Sequence, residues 1–302
     1  PKVKDATRVM IAILACCMVC YPRCRAPVYV SSLVFISEKQ YNYCMKIEQK
    51  LSSGLIVIKD LKDCVRFVFF ETNVPGWEYA TYGGSAFIVN YKGKIYALTC
   101  NHVFGDFDSS KLALTNKRFG DMVAGYDAIF RPKDPILEAV DTDILDLAVI
   151  RFTEDCQSQF FGDDPYIIDD ETICTSEKNE KILIEGSLKD LSAIDDKTIK
   201  AQFCSLEIID DGYHDHDATL RSAYGQFSSN IEFSSVTGIS GSPVFNMTKG
   251  KLCGMAVRGG LNEKKFCNVL YLDIEDIKQV LQAIHEDRPN TSYKKIRPKK
   301  IP

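Results

Sequence analysis

From residue 65 onward the chain alternates short apolar runs with small groups of Gly, Asn, Asp and Pro. The first set of runs is Val65 to Phe70, Gly84 to Asn90, Lys94 to Thr99, Lys111 to Leu114, Met122 to Arg131 and Leu145 to Phe152. The second is Ile182 to Glu185, Ile199 to Ile209, Asn230 to Phe233, Pro243 to Asn246, Leu252 to Val257 and Phe266 to Leu272. All are short and rich in β-branched and aromatic residues, which marks strands rather than helices. They predict an all-β chain of two antiparallel six-stranded β-barrels, over residues 45–152 and 153–286. One helical pattern follows: Asp273 can cap a helix whose Ile274, Ile277, Val280, Leu281 and Ile284 recur at three- and four-residue spacing. A C-terminal α-helix therefore closes the second unit. Residues 287–302 form a basic tail (Lys294, Lys295, Arg297, Lys299, Lys300) with no apolar period, and are expected to be disordered.

Composition narrows the function classes. A chain of 302 residues with 45% hydrophobic content can bury the two cores that the strand pattern asks for. The net charge of −4 offers no global attraction to phosphate backbones or anionic lipid, so nucleic acid is not an expected partner. The acidic stretch Thr153 to Asp217 reads mainly as solvated surface, with steering of basic partners as the alternative. Residues 1–44 form a distinct appendage with five of the twelve cysteines. Its apolar run 9–21 is shorter than the roughly 20 residues that span a bilayer. The run admits a signal or anchor over residues 1–26, a dispensable or mis-assigned start before Met45, or metal binding by Cys16, Cys17, Cys20 and Cys24. A membrane enters only under the first of these. The cysteine spacings announce neither a disulfide nor a zinc framework.

Three stretches carry chemistry. Gly238-Ile239-Ser240-Gly241-Ser242-Pro243 sets a serine among small residues, which is how a chain exposes a nucleophile and leaves backbone N–H groups free to meet an oxyanion. Such a string is also an ordinary turn unless a base and an acid accompany it. His102 ends the apolar run Tyr96 to Asn101, and Asp146 stands at the mouth of Leu147-Ala148-Val149-Ile150. Asp141 and Asp143 are rivals for the acid, but the apolar run after Asp146 can hold it in the water-poor position that an orienting carboxylate needs. The order is His102, Asp146, Ser240, with separations of 44 and 94 residues. His214-Asp215-His216-Asp217 alternates metal-capable side chains in a polar loop, where solvation is the plainer reading. No metal and no cofactor is expected.

With Thr99-Cys100-Asn101-His102, Asp146-Leu147-Ala148 and Gly238-Ile239-Ser240-Gly241-Ser242-Pro243 in that order, the chain resembles the trypsin-like, chymotrypsin-fold serine peptidases over residues 65 to 286. In motif it is most similar to the bacterial glutamyl-endopeptidase and Deg-type members, without room for a PDZ domain. The resemblance implies hydrolysis of peptide bonds in a protein or peptide substrate through a Ser240-His102-Asp146 triad and an acyl-enzyme. It implies an oxyanion hole from the Gly238 and Ser240 N–H groups, a substrate strand along Val257, Arg258 and Gly259, and Ser234 at the base of the primary pocket. A serine there, with Ala256 and Val257 where glutamyl-specific relatives carry histidine, points to small or medium uncharged residues before the cut. Arg258 leaves an acidic preference open. Val103 stands where secreted animal members carry a cysteine, which favours the cytoplasm, with export if residues 1–26 are a signal. Ile239 before the nucleophile implies activity without N-terminal cleavage. The alternative is a catalytically silent binding or regulatory protein on the same fold; oligomeric state is not written in the sequence.

Overall fold

The computed structural model describes residues 46–50, 56–75, 77–118, 122–133, 146–189, 192–195, 198–200, 203–215, 220–226, 235–262, 266–288 and 293–297. Residues 1–45, Asp141, Asp143, Ser234, His216, Asp217 and the run Asn230 to Phe233 lie outside them. Among the described residues no helix is long and apolar enough to cross a membrane.

The N-terminal half comprises β1 (Lys46–Lys50), β2 (Ile56–Asp60), β3 (Val65–Phe67), β4 (Phe69–Val74), β5 (Trp77–Ala80), β6 (Ser85–Tyr91), β7 (Lys94–Cys100), β8 (Leu112–Ala113), β9 (Tyr126–Pro132) and β10 (Leu147–Phe152). The C-terminal half follows with β11 (Tyr166–Ile168), β12 (Lys181–Ser187), β13 (Ala193–Asp195), β14 (Thr198–Lys200), β15 (Phe203–Asp215), β16 (Leu220–Gln226), β17 (Pro243–Asn246), β18 (Lys251–Leu261) and β19 (Phe266–Asp273). Helix α1 (Ile274–His285) and β20 (Tyr293–Ile296) end it.

The second half is a closed six-stranded barrel in the order β12-β15-β16-β19-β18-β17. The first half builds a seven-stranded sheet, β11-β6-β7-β10-β9-β20 with β3 on β6, to which the later strands β11 and β20 are added at the edges, beside the three-stranded sheet β5-β4-β8. Strand alternation builds two cores. Along β12, Ile182 and Ile184 face the barrel interior while Leu183 faces the core shared with the first half, as Val244 and Phe245 do on β17. These strands are buried on both faces, which is why their sequence runs continuously apolar.

Asp273 caps α1 by accepting the Glu275 N–H at 3.0 Å, and Ile274, Ile277, Leu281 and Ile284 are buried on one face. Each such side chain contributes about 1.5–3 kcal/mol by leaving water. Arg66, fully buried on β3, staples the loops around the first sheet. Its guanidinium donates to the carbonyls of Asp63, Val65, Thr115 and Asn116 and pairs with Asp164 at 2.6 Å.

The tail corrects one expectation. Residues 293–296 are not disordered but form β20, which pairs antiparallel with β9 and buries Tyr293. Exposed Lys294 and Lys295 suit an edge strand, where lysines block further pairing. Strand β16 is also absent from the sequence pattern: Ala223 is fully buried there, whereas Tyr224 beside it is exposed.

Candidate active site

The His-bearing and Asp-bearing segments meet because of sheet register. β7 and β10 pair antiparallel with Cys100 opposite Leu147, so the residues just past Cys100 lie beside the residue just before Leu147. Asn101–Phe104 then turn as a 3₁₀ helix and bring His102 back over that junction. The Asn101 N–H donates to the Asp146 carbonyl at 2.7 Å, and the His102 N–H donates to Asp146 Oδ1 at 2.8 Å. His102 Nδ1 is hydrogen-bonded to Asp146 Oδ2. One carboxylate thus fixes both the backbone and the ring of the histidine. The acid is buried at 8% exposure, whereas the imidazole is half-exposed. With Nδ1–H engaged, Nε2 is the nitrogen left to take up a proton.

A second layer supports this couple. Arg131 on β9 donates from Nε to Asn101 Oδ1 at 2.6 Å and from one terminal nitrogen to Ser109 Oγ at 2.7 Å, with its guanidinium 4.4 Å from the Phe104 ring centre. Burial draws the Arg131 guanidinium down, and the Asp146 charge opposes that shift. Tyr293 of β20 is buried within reach of the same charge: burial first, then the Asp146 carboxylate, pushes its phenol up.

Ser240 sits in the turn between Val236 and β17. Its carbonyl accepts the Ser85 N–H at 2.8 Å, and the Gly241 N–H donates to the Ala256 carbonyl at 2.8 Å. That Ala256 carbonyl also accepts the buried Cys100 thiol at 3.3 Å, so the end of the His-bearing strand and the Ser-bearing turn share one anchor. Gly241 has φ +86°, and a Cβ there would lie 1.9 Å from the Ser85 carbonyl oxygen. Only glycine fits. The Ser240 hydroxyl donates to the Val257 carbonyl at 2.8 Å and makes no hydrogen bond to His102.

The peptide planes around Ser240 are held from the interior. The Thr237 carbonyl accepts the Lys189 N–H at 2.8 Å, and the Ile239 carbonyl accepts the Ser242 N–H at 2.9 Å. In a planar trans peptide the N–H points opposite to its carbonyl. The Gly238 and Ser240 N–H groups are therefore turned away from those anchors, and among the described residues neither has a hydrogen-bond partner. Ile239, between them, is buried in the barrel core at 1% exposure.

Beside this turn β18 pairs with β17 only as far as Met255, while its pairing with β19 continues to Leu261. Beyond Met255 its other edge carries no strand among the described residues. Val257 is buried at a bulge, whereas Arg258, Gly259 and Gly260 are exposed. A Cβ on Gly259 would fall 2.6 Å from Ile239 Cδ1 and 2.9 Å from Val236 Cγ2, so apolar side chains back this segment.

Cys100, His102 and Asp146 are the one set of three metal-capable side chains with ligand atoms within 4.8 Å of one another among the described residues. The carboxylate and ring engage each other and the thiol donates to Ala256, so the three are already partnered. His214 and Asp215 belong to β15 rather than to a loop. Sequence reading missed Arg131, Tyr293 and Ser85. Arg131 and Tyr293 come to the site only through pairing of β9 with β10 and β20, and no local spacing signals that.

No curated protein matches the chain. Among solved structures it is similar to an inactivated protease paralogue of the scabies mite, S-I1, at 14% identity, TM-score 0.49, covering 76% of this chain and 98% of that one. It is also similar to the protease Anisep from Arthrobacter nicotinovorans, at 14% identity and TM-score 0.41 over 76% and 92% of the two chains. A third is the tobacco vein mottling virus protease, at 12% identity and TM-score 0.40 over 80% and 89%. The family described as trypsin-like peptidase domain matches residues 84–255, more than half of the chain and a span that holds His102, Asp146 and Ser240 together. The chain belongs to the trypsin-like peptidase family.

Proposed function

We propose that this protein is a serine endopeptidase that hydrolyses peptide bonds through an acyl-enzyme on Ser240. The observation that carries the reading is the double hold of Asp146 on His102, which leaves Nε2 as the base. In this reading the Ser240 Oγ rotates from the Val257 carbonyl into another staggered well, gives its proton to His102 Nε2 and attacks the substrate carbonyl. The oxyanion is received by the unpartnered N–H groups of Gly238 and Ser240. His102 returns the proton to the leaving amine, the amine departs, and water resolves the acyl-enzyme by the same route in reverse.

The exposed edge of Arg258 and Gly259 supports an added substrate strand. Val236 and Ile239 behind Gly259 support small or medium uncharged residues before the cut. The apolar setting of Ile239 supports a hole formed without a new N-terminal ammonium, since such a charge would find no partner there.

The second reading, a catalytically silent protein on this fold, draws on the Ser240 hydroxyl bonding to Val257 rather than His102. Hydrolysis of a peptide library by the native protein, Ser240→Ala and His102→Ala separates the two. Cleavage by the native chain alone supports the peptidase; no cleavage by any of the three supports the silent protein.

A further inference from the structure

We infer that Ser85 is a positioning residue that presets the oxyanion hole, a role that rests on the peptidase reading above. Ser85 opens β6 in the first half and is fully buried. A buried hydroxyl is costly unless it is hydrogen-bonded, and this one is bonded to the second half. Its Oγ donates to the Gly238 carbonyl at 2.9 Å and accepts the Ser187 N–H at 2.8 Å. Ser187 Oγ lies 3.1 Å from it and sends its own proton to the Gly84 carbonyl at 3.0 Å, with a longer 3.4 Å contact to Gly238. The Ser85 N–H holds the Ser240 carbonyl at 2.8 Å, and its carbonyl is held in turn by Thr99 Oγ1 at 2.7 Å.

One residue therefore ties two carbonyls of the nucleophile turn. The peptide that carries the Ser240 N–H lies between them, and planar peptides on both sides leave it little rotational range. The tie matters most at Gly238. With φ +107° and no Cβ, this glycine can adopt several values of ψ at little cost, so its own chemistry does not fix the plane that follows it. The Ser85 hydroxyl supplies that constraint from the opposite half of the molecule. The hole is then set only when the two halves are docked, and it is set by neutral hydrogen bonds.

The test is steady-state kinetics of Ser85→Ala on a peptide substrate, with Ser187→Ala as the neighbour that loses the longer 3.4 Å contact to Gly238 but keeps the 2.9 Å bond from Ser85. Ser85→Ala is expected to lower kcat by about 10- to 100-fold with KM within about twofold, as for displaced oxyanion donors. The affinity for a peptide boronic acid should weaken in parallel, and Ser187→Ala should retain kcat within about threefold. A Ser85→Ala protein that keeps its kcat while its Tm falls overturns the inference, and so does an equal loss of kcat in Ser187→Ala. Should Ser85→Ala fail to fold, Ser85→Cys decides: a weak donor in place of a strong one lowers kcat, and a native kcat refutes the role. These outcomes are read on a native protein that cleaves; a native protein that does not cleave overturns the peptidase reading and removes this role with it.

Discussion

The carboxylate of Asp146 takes the backbone N–H of His102 on one oxygen and the ring nitrogen on the other. The two bonds do different things. The first places the histidine at the end of β7; the second selects the tautomer that leaves Nε2 free. Asp146→Asn keeps an acceptor for the backbone bond but offers the ring either an N–H or a single carbonyl, so the tautomer is no longer specified. We expect kcat to fall by about 10⁴-fold with KM little changed, the size seen when the orienting acid of such a triad becomes an amide. Steady-state kinetics at neutral pH checks this.

Gly241→Ala should inactivate the protein. The φ of +86° costs an L-residue about 1–2 kcal/mol, and the new methyl would press on the Ser85 carbonyl. Relief requires moving the turn that carries Ser240, so activity should be lost at temperatures where circular dichroism still reports a folded chain.

Glu185 sits at 2% exposure on β12, with Ser205 Oγ bonded to one oxygen and Oε2 without a partner. Burial pushes its carboxyl up to about 7, opposed by the Ser205 hydroxyl and by the positive charges of Arg118 and Lys62, with Asp60 adding to the rise. The folded state therefore holds this proton more tightly than the unfolded chain does. Stability contributed by the neutral acid is full below the ordinary Glu range and is lost as pH climbs to about 7, a change on the order of 3 kcal/mol. Glu185→Gln should raise Tm by several degrees at pH 8 and leave it nearly unchanged at pH 5, a difference that thermal melts at the two pH values will read.

Arg66→Met should be among the most destabilising single changes. It leaves the partly buried Asp164 carboxylate and four backbone carbonyls without this donor, a loss on the order of 3 kcal/mol, the low end for a broken buried pair. Urea unfolding should show a lower midpoint with an unchanged slope.

Much of the candidate site is legible in the sequence. The proposed nucleophile, base and acid must be of fixed residue types, and each also sits beside an apolar strand, so Ser240, His102 and Asp146 stand out one by one. Ser85 does not. A serine within an apolar strand looks like any other, and its partner Gly238 is 153 positions away. The same holds for the fold. Strands buried on both faces, such as β7 and β12, declare themselves by continuous apolar runs. β16 hides because Tyr224 meets solvent while its neighbour Ala223 offers the barrel interior no more than a methyl. β20 hides because its edge position is marked by lysines, the composition that also marks a loose tail. Arg131 is brought to the site by the pairing of β9 with β10, and Tyr293 by the pairing of β20 with β9, neither of which a local spacing signals.

The central claim is that Ser240 is a nucleophile activated by His102. Intact-mass measurement after exposure to a fluorophosphonate probe tests it most directly, because the probe bonds only to a serine whose proton is being taken and whose oxyanion is being received. One adduct on the native protein, mapped to Ser240, absent from Ser240→Ala and slowed by at least about a hundredfold in His102→Ala, is the predicted result. A native protein that stays unmodified, or an adduct that persists in Ser240→Ala, would contradict it.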